Sequence, residues 1–202
     1  MNLLIDGLPE TVEVAGQEIS ITTDFRTGIL FEELMIDDTV DDMEKLRTAL
    51  DLFFPGYVFS PDVIPDAIAA LLWFYRCGTE AKEDNKEAGA PAEDPPYSYE
   101  YDADYIYAAF LGSYEIDLAR TSLHWWQFRA LFRALPEDTQ FMKIVGYRSI
   151  DSKALSKMSK EQRQHYTKMK KLYEIPQSAD RQQLESDLTQ LLMNGGNPSA
   201  LM

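Results

Sequence analysis

SLHWWQFRALFRALPEDTQFMKIVGYR, residues 122–148, holds two of the chain's three tryptophans, three phenylalanines and two arginines one helical turn apart. Trp125, Phe128, Phe132 and Leu135 fall on one helical face, with Trp126 and Ala130 beside it. The polar exceptions are His124, Gln127, Arg129 and Arg133. A helix that is apolar on most sides is buried in a core or against a partner. The stretch therefore predicts a central packing helix that the rest of the chain covers. Leu135-Pro136 ends it, because a residue before proline resists helical geometry. Thr121 or Ser122 is the expected N-cap, and Thr139 is expected to cap a shorter helix through Arg148.

Working outward, the flanking segments also read as helices. Asp102 or Asp104 starts one that runs to about Tyr114, with Ile106, Phe110, Leu111 and Tyr114 inward. Ser149 to Ser156 reads as loop. Lys157 to Tyr173 reads as a basic helix with a thin stripe of Met158, Tyr166, Met169 and Leu172, stopped by Pro176. In the first half, Thr23 or Asp24 caps a helix to about Met35, and another runs from about Val40 to Phe53, closed by Pro55-Gly56. Ser60-Pro61 and Pro65 open a helix to Gly78 with Ile64, Ile68, Leu71, Leu72 and Tyr75 buried. Gly28 costs its helix about 1 kcal/mol relative to alanine, which close packing explains. Only residues 3–22 read as strand. Val12 and Val14 pair with Ile19 and Ile21 across a turn at Ala15-Gly16-Gln17, and Leu3 to Ile5 offers a third strand.

The fold class is therefore mainly α, a helical bundle with a small N-terminal antiparallel hairpin. Residues 1–176 form one helical domain. Residues 79–96 are charged and proline-ended, the composition of a flexible loop. Residues 177–202 are expected to hold a short amphipathic helix and a disordered end.

Charge is uneven. Residues 1–100 contain 22 acidic and 6 basic residues, while 143–173 contain 9 basic residues against Asp151 and Glu161. A net charge of −15 repels nucleic acid and anionic membranes. The basic segment fits an acidic partner or another copy of the acidic half, so self-association is open. Its lysines and tyrosines follow no nucleic-acid-binding motif. The start has no basic lead and is interrupted by Asp6, which predicts no secretory signal. The longest apolar run, Ala67 to Tyr75, is far short of a membrane span. A soluble, intracellular protein is expected.

The chemistry of catalysis is not legible. Cys77 is the only cysteine and His124 and His165 the only histidines, so no zinc-ligand spacing exists. No glycine-rich phosphate loop and no nucleophile elbow occur. Neither a cofactor nor a metal is expected, and an enzyme is not the expectation. A binding module remains, for which Trp125, Trp126, Phe128, Arg129, Arg133, Tyr147 and Arg148 are the candidate partner-binding or structural residues. Arg129 and Arg133 are expected to meet carboxylates of the acidic half.

Three segments, YDADYIYAAFLGSYEIDL, LHWWQFRALFRALPEDTQFMKIVGYRSID and KMKKLYEIP, resemble the bacteriophage "gp fifteen" family of siphophages and prophages. The opening LPETVEVAGQEISITTDFRTGILFEEL is similar to that family's N-terminus. The resemblance spans most of residues 1–176 and is most specific at Leu123-His124-Trp125-Trp126 with Phe128, Leu131, Leu135, Thr139 and Tyr147-Arg148. Family genes lie in the tail module, between the tail-tube and tape-measure genes, where tail-assembly chaperones are encoded. The resemblance thus implies a tail-assembly protein in the host bacterial cytoplasm. Its partners would be the phage tape-measure and tail-tube proteins. The alternative is a minor structural tail or connector component of the virion. The family brings no catalytic residues.

Overall fold

A computed structural model describes residues 3–79 and 96–176. The loop at 79–96, apart from its two end residues, and everything expected of 177–202 lie outside the described residues. Nine helices and one two-stranded antiparallel sheet occur among those described. The chain is mainly α with an N-terminal hairpin. It groups into two compact units, Met1–Lys143 and Ile144–Met202, and the boundary falls within one helix. Residues from both sides of the 80–95 segment belong to the first unit.

The hairpin pairs β1 (Thr11–Val14) with β2 (Gln17–Ser20), Val12 facing Ile19 and Val14 facing Gln17. Ala15 and Gly16 both take positive φ, 49° and 76°, the left-handed pair that lets a two-residue turn follow the strand twist. Val12, Val14, Ile19 and Ile21 are buried, and β1 packs on α4. The third strand is not formed. Leu3–Asp6 is instead a single helical turn, α1, with Leu4 and Ile5 exposed. Three consecutive apolar residues carry no strand alternation, and Gly7 at φ 78° ends the turn in the way helix-terminating glycines do.

α2 (Phe25–Ile36) starts at one of its two expected caps, the Asp24 carboxylate accepting from Arg26 N, and α3 (Asp42–Phe53) starts at Asp41, whose carboxylate accepts from Met43 and Glu44 N. α4 (Ile64–Tyr75) begins with Pro65 in its first turn after a turn of residues 61–63, and it ends before Gly78. Its buried stripe is Ala67, Ala70, Leu71 and Phe74; of the expected Ile64, Ile68, Leu71, Leu72 and Tyr75, Leu71 is buried and the other four are half-buried. Almost every α4 residue is apolar, so the sequence does not mark which face turns inward. α5 (Ala103–Tyr114) buries Ile106, Ala109 and Phe110 but leaves Leu111 exposed, because the small Ala109 faces the core instead.

α6 (Trp125–Arg133) is the tryptophan helix. Its N-cap is His124, not Thr121 or Ser122. The backbone at 123–125 is occupied in an antiparallel bridge with 23–25, so it stays extended until His124. Phe25 N donates to Leu123 O at 2.9 Å, and Trp125 N donates to Thr23 O at 2.7 Å. The Ser122 hydroxyl is used on Asp24 Oδ2 instead.

α7 (Gln140–Ser149) starts after Thr139, whose hydroxyl accepts from Met142 N. In the second unit, Ser149 to Ser156 is not all loop. Asp151 caps a short α8 (Ser152–Ser156), and α9 (Lys160–Leu172) begins at a capping box of Ser159 and Gln162. Arg163 donates to the Leu155, Ser156 and Met158 carbonyls and so closes the C-terminal end of α8. Leu172 is exposed rather than part of the packed stripe, because α9 meets its neighbours through Tyr166 and Tyr173.

Candidate functional site

The starts of α2 and α6 are related by a local two-fold. Asp24 and His124 have nearly the same backbone angles, φ −61° ψ 136° and φ −63° ψ 140°, and each accepts from the amide two residues on. Phe25 stacks on Phe128 at 4.8 Å, and Gly28 faces Trp125 across the same axis. A Cβ on Gly28 would lie 2.6 Å from Trp125 Cζ3, closer than real contacts allow. The glycine is there because an indole occupies the space.

Trp125 and Phe128 are fully buried, and Trp126 is 4% exposed. Trp125 Nε1 donates to Tyr75 O at 2.8 Å, and Trp126 Nε1 donates to Phe74 O at 2.7 Å. Both indoles thereby bond to the last carbonyls of α4, where a helix C-terminus lacks intrahelical partners; Phe74 O also accepts from the Cys77 amide at 2.9 Å. The three aromatic candidates are thus core residues that lock α6 to α2 and α4.

Arg129 joins this core to a half-buried polar group. Its guanidinium lies 5.3 Å over the Trp125 ring and 3.9 Å from Glu32 Oε2, which also accepts from Tyr75 Oη at 2.8 Å. The expected carboxylate for Arg129 is therefore Glu32 of the acidic half. Burial pushes the Tyr75 hydroxyl far above its ordinary pKa, and the adjacent Glu32 carboxylate pushes the same way. Burial and the same carboxylate raise Tyr97. Tyr99 is raised far by burial, with Tyr97 and Glu32 adding to it. These tyrosines stay neutral donors at physiological pH. Arg133, one turn on, is exposed. Sequence reasoning missed Glu32, Tyr75, Tyr97 and Tyr99. The signal for Glu32 is a carboxylate inside the apolar run FEEL, and the tyrosines carry none.

An open cleft of about 250 Å³ lies beside this core. Phe25 and Ile29 of α2, Ile106 of α5, Leu118 and Phe128 line it, and Arg26 and Tyr107 stand at its edge. Arg26 is held there by Asp24 at 3.2 Å and by the Leu118 carbonyl at 2.6 Å. Burial raises the pKa of Asp24, but the Ser122 hydroxyl, the Arg26 amide and the Arg26 charge outweigh it and leave the carboxyl below its usual range. Tyr107 donates to Asp117 Oδ1. The cleft is apolar with one fixed cation at its edge, which suits an aliphatic or aromatic side chain of another protein.

The remaining groups with chemical potential serve the fold. His124 Nδ1 accepts from Trp126 N, and its Nε2 lies 2.9 Å from Pro9 O. Burial holds its pKa below the ordinary value, against the opposing pull of Pro9 O and Glu10. Burial raises the Cys77 thiol, opposed by Arg129 and Arg133, and a protonated thiol is a poor nucleophile. No cluster of three potential metal ligands occurs among the described residues. In the second unit, Tyr147 stacks parallel to Tyr173 at 6.2 Å and meets Tyr166 edge-on, while Arg148 Nε donates to Tyr173 O. These two candidates clamp α7 to the end of α9.

No helix among the described residues is long and apolar enough to cross a membrane. Searches of curated proteins and of solved structures found no match. The sequence does match the family described as "Bacteriophage Gp15 protein" over residues 4–175, which takes in the hairpin, both unit cores and every candidate residue. The chain belongs to the bacteriophage Gp15 protein family.

Proposed function

We propose that this phage protein is a tail-assembly chaperone that binds the tape-measure protein in the host cytoplasm and acts by contact alone, without catalysis. The observation that carries the reading is membership of a bacteriophage family over residues 4–175. One surface feature supports the reading. The apolar cleft lined by Phe25, Ile29, Ile106, Leu118 and Phe128 takes one anchor side chain of an amphipathic client helix, and exposed Leu30 and Leu111 extend the apolar surface of α2 and α5. The acidic charge of the first 100 residues keeps such a complex soluble and disfavours competing polyanions.

Co-expression with the tape-measure protein tests this. The client is expected in the soluble fraction with the wild-type protein. With Ile29→Glu, which places a charge at the cleft wall, it is expected in the pellet. An insoluble client in both cases refutes the reading. Mass spectrometry of purified particles separates the chaperone from a minor tail or connector component: a chaperone is absent from mature virions, whereas a component is present at fixed copy number.

A further inference from the structure

The two compact units carry opposite charge. Residues 1–143 hold 28 acidic and 10 basic residues, whereas 144–202 hold 6 acidic and 9 basic. Within the second unit, the positive charge concentrates on α9. No residue of α9 is buried, and Arg163, Gln164, Thr167, Lys168 and Lys171 line a shallow open groove along it. Arg163 is occupied by the α8 carbonyls and Lys170 by Ile150 O. Lys168 and Lys171 have no ion-pair partner among the described residues. Lys171 and the 62% exposed Leu172 lie at i+3 and i+4 from Lys168 and flank it on one side of the helix.

The first unit offers the complement. Where α2 passes into α3, Met35, Ile36 and Met43 stand 39%, 64% and 73% exposed. Lys45 Nζ donates to Met35 O at 3.0 Å and ties the start of α3 to the end of α2, the corner that carries these three exposed apolar residues. Asp37 and Asp41 are used inside it, on Thr39 and on the first amides of α3. Asp38, Asp42 and Glu44 are exposed around it.

We propose that the Lys168, Lys171 and Leu172 face of α9 docks on the Met35, Ile36 and Met43 corner of a second copy of the chain. Leu172 meets the exposed methionines and isoleucine, and the two lysines meet Asp38, Asp42 and Glu44. Both faces pair apolar surface with charge, and the signs are opposite, which is the pattern that gives a specific register. A polyanionic nucleic acid is the poorer occupant of α9, because every copy carries the far larger negative charge of the first unit. The proposal is independent of the chaperone reading, which uses the cleft and a different protein.

Sedimentation of the full chain at low and high salt tests it, together with two surface variants checked for fold by circular dichroism. One is Lys168→Glu/Lys171→Glu and the other is Asp38→Lys/Asp42→Lys. The wild type is expected to associate at ~50 mM salt and dissociate at ~1 M, where the screening length falls to about 3 Å. Each variant alone is expected to be monomeric. An equimolar mixture is expected to associate again, because the intact corner of one variant meets the intact α9 face of the other and the two reversed faces are once more opposite in charge. A wild type that is monomeric at low salt overturns the proposal. So does a variant that associates like the wild type, or a mixture that remains monomeric. Binding of a DNA or RNA oligonucleotide that Lys168→Glu/Lys171→Glu abolishes, without self-association of the wild type, overturns it in favour of the other occupant.

Discussion

Gly28→Ala reverses the usual sign of a glycine replacement. In an ordinary helix interior the change stabilises by about 1 kcal/mol, because alanine has the higher helix propensity. At Gly28 the new Cβ falls within 2.6 Å of the Trp125 ring. The ring has no room to retreat. It is fully buried, its Nε1 is tied to Tyr75 O, and it stacks on Tyr75 at 5.4 Å and on Phe128 at 5.9 Å. Overpacking of a well-filled core costs up to about 3 kcal/mol. Subtracting the propensity gain leaves a net loss of about 2 kcal/mol. For a chain of this size that lowers Tm by about 4–8 °C. In a Trp125→Leu background the ring is gone, and the same Gly28→Ala change should stabilise by about 1 kcal/mol. The coupling between the two positions is then about 3 kcal/mol, the upper end for residues in contact. Guanidinium unfolding of the four proteins, followed by far-ultraviolet circular dichroism, gives the number. A Gly28→Ala protein that is more stable than wild type, or an equal effect in both backgrounds, refutes the packing argument.

Three further outcomes are expected. Trp126→Ala should destabilise by about 3–5 kcal/mol, since it removes a buried indole and its hydrogen bond to the Phe74 carbonyl; a folded mutant that has lost only partner binding would place the ring at an interface instead. His124 has a folded pKa below its unfolded value, so its contribution to stability is complete above about pH 6.5 and is lost as pH falls through the folded value. His124→Asn keeps a cap but cannot titrate, and melting curves between about pH 7.5 and 5.5 should be flatter than for wild type; equal slopes would sink this reading. Tyr75 and Tyr99 are raised by burial, so they hold stability below about pH 10 that is lost on further alkalinisation. Ultraviolet titration should show these phenols ionising only with alkaline unfolding, and full reversible ionisation of all 11 tyrosines in the folded protein contradicts their burial.

What the sequence disclosed follows from how local each determinant is. Asp24, Asp41 and Thr139 start helices through bonds to amides two or three residues away, and the Ala15-Gly16 turn is set by its own φ values. Such features are visible in a window of a few residues. The inward face of α4 is not, because IPDAIAALLWFY is apolar nearly all round and only its neighbours select Phe74 over Tyr75. The His124 cap depends on an extended backbone that residues 23–25 impose from far away in sequence, and histidine is not a usual cap. The identity of the Arg129 partner was equally hidden. In a chain with 34 acidic residues, nothing but the α2–α6 crossing singles out Glu32. The density of Trp125, Trp126 and Phe128 was legible as burial, and it proved to belong to the fold, whereas the cleft beside it is shaped by Ile29, Ile106 and Leu118, three residues unremarkable in sequence.

The Asp24–His124 bridge has a consequence for the order of events during synthesis. Asp24 and Ser122, which share a hydrogen bond, are 98 residues apart, and the α6 amides find their partners only once residues 23–25 are in place. Closing a loop of that length costs chain entropy before any contact repays it. The hairpin and α2 therefore leave the ribosome long before the segment that completes them. Until α6 emerges, Phe25 lacks the Phe128 ring on which it stacks. A ribosome-bound fragment that stops short of residue 123 should remain sensitive to protease in its first 36 residues, and protection should arrive in one step when α6 is exposed.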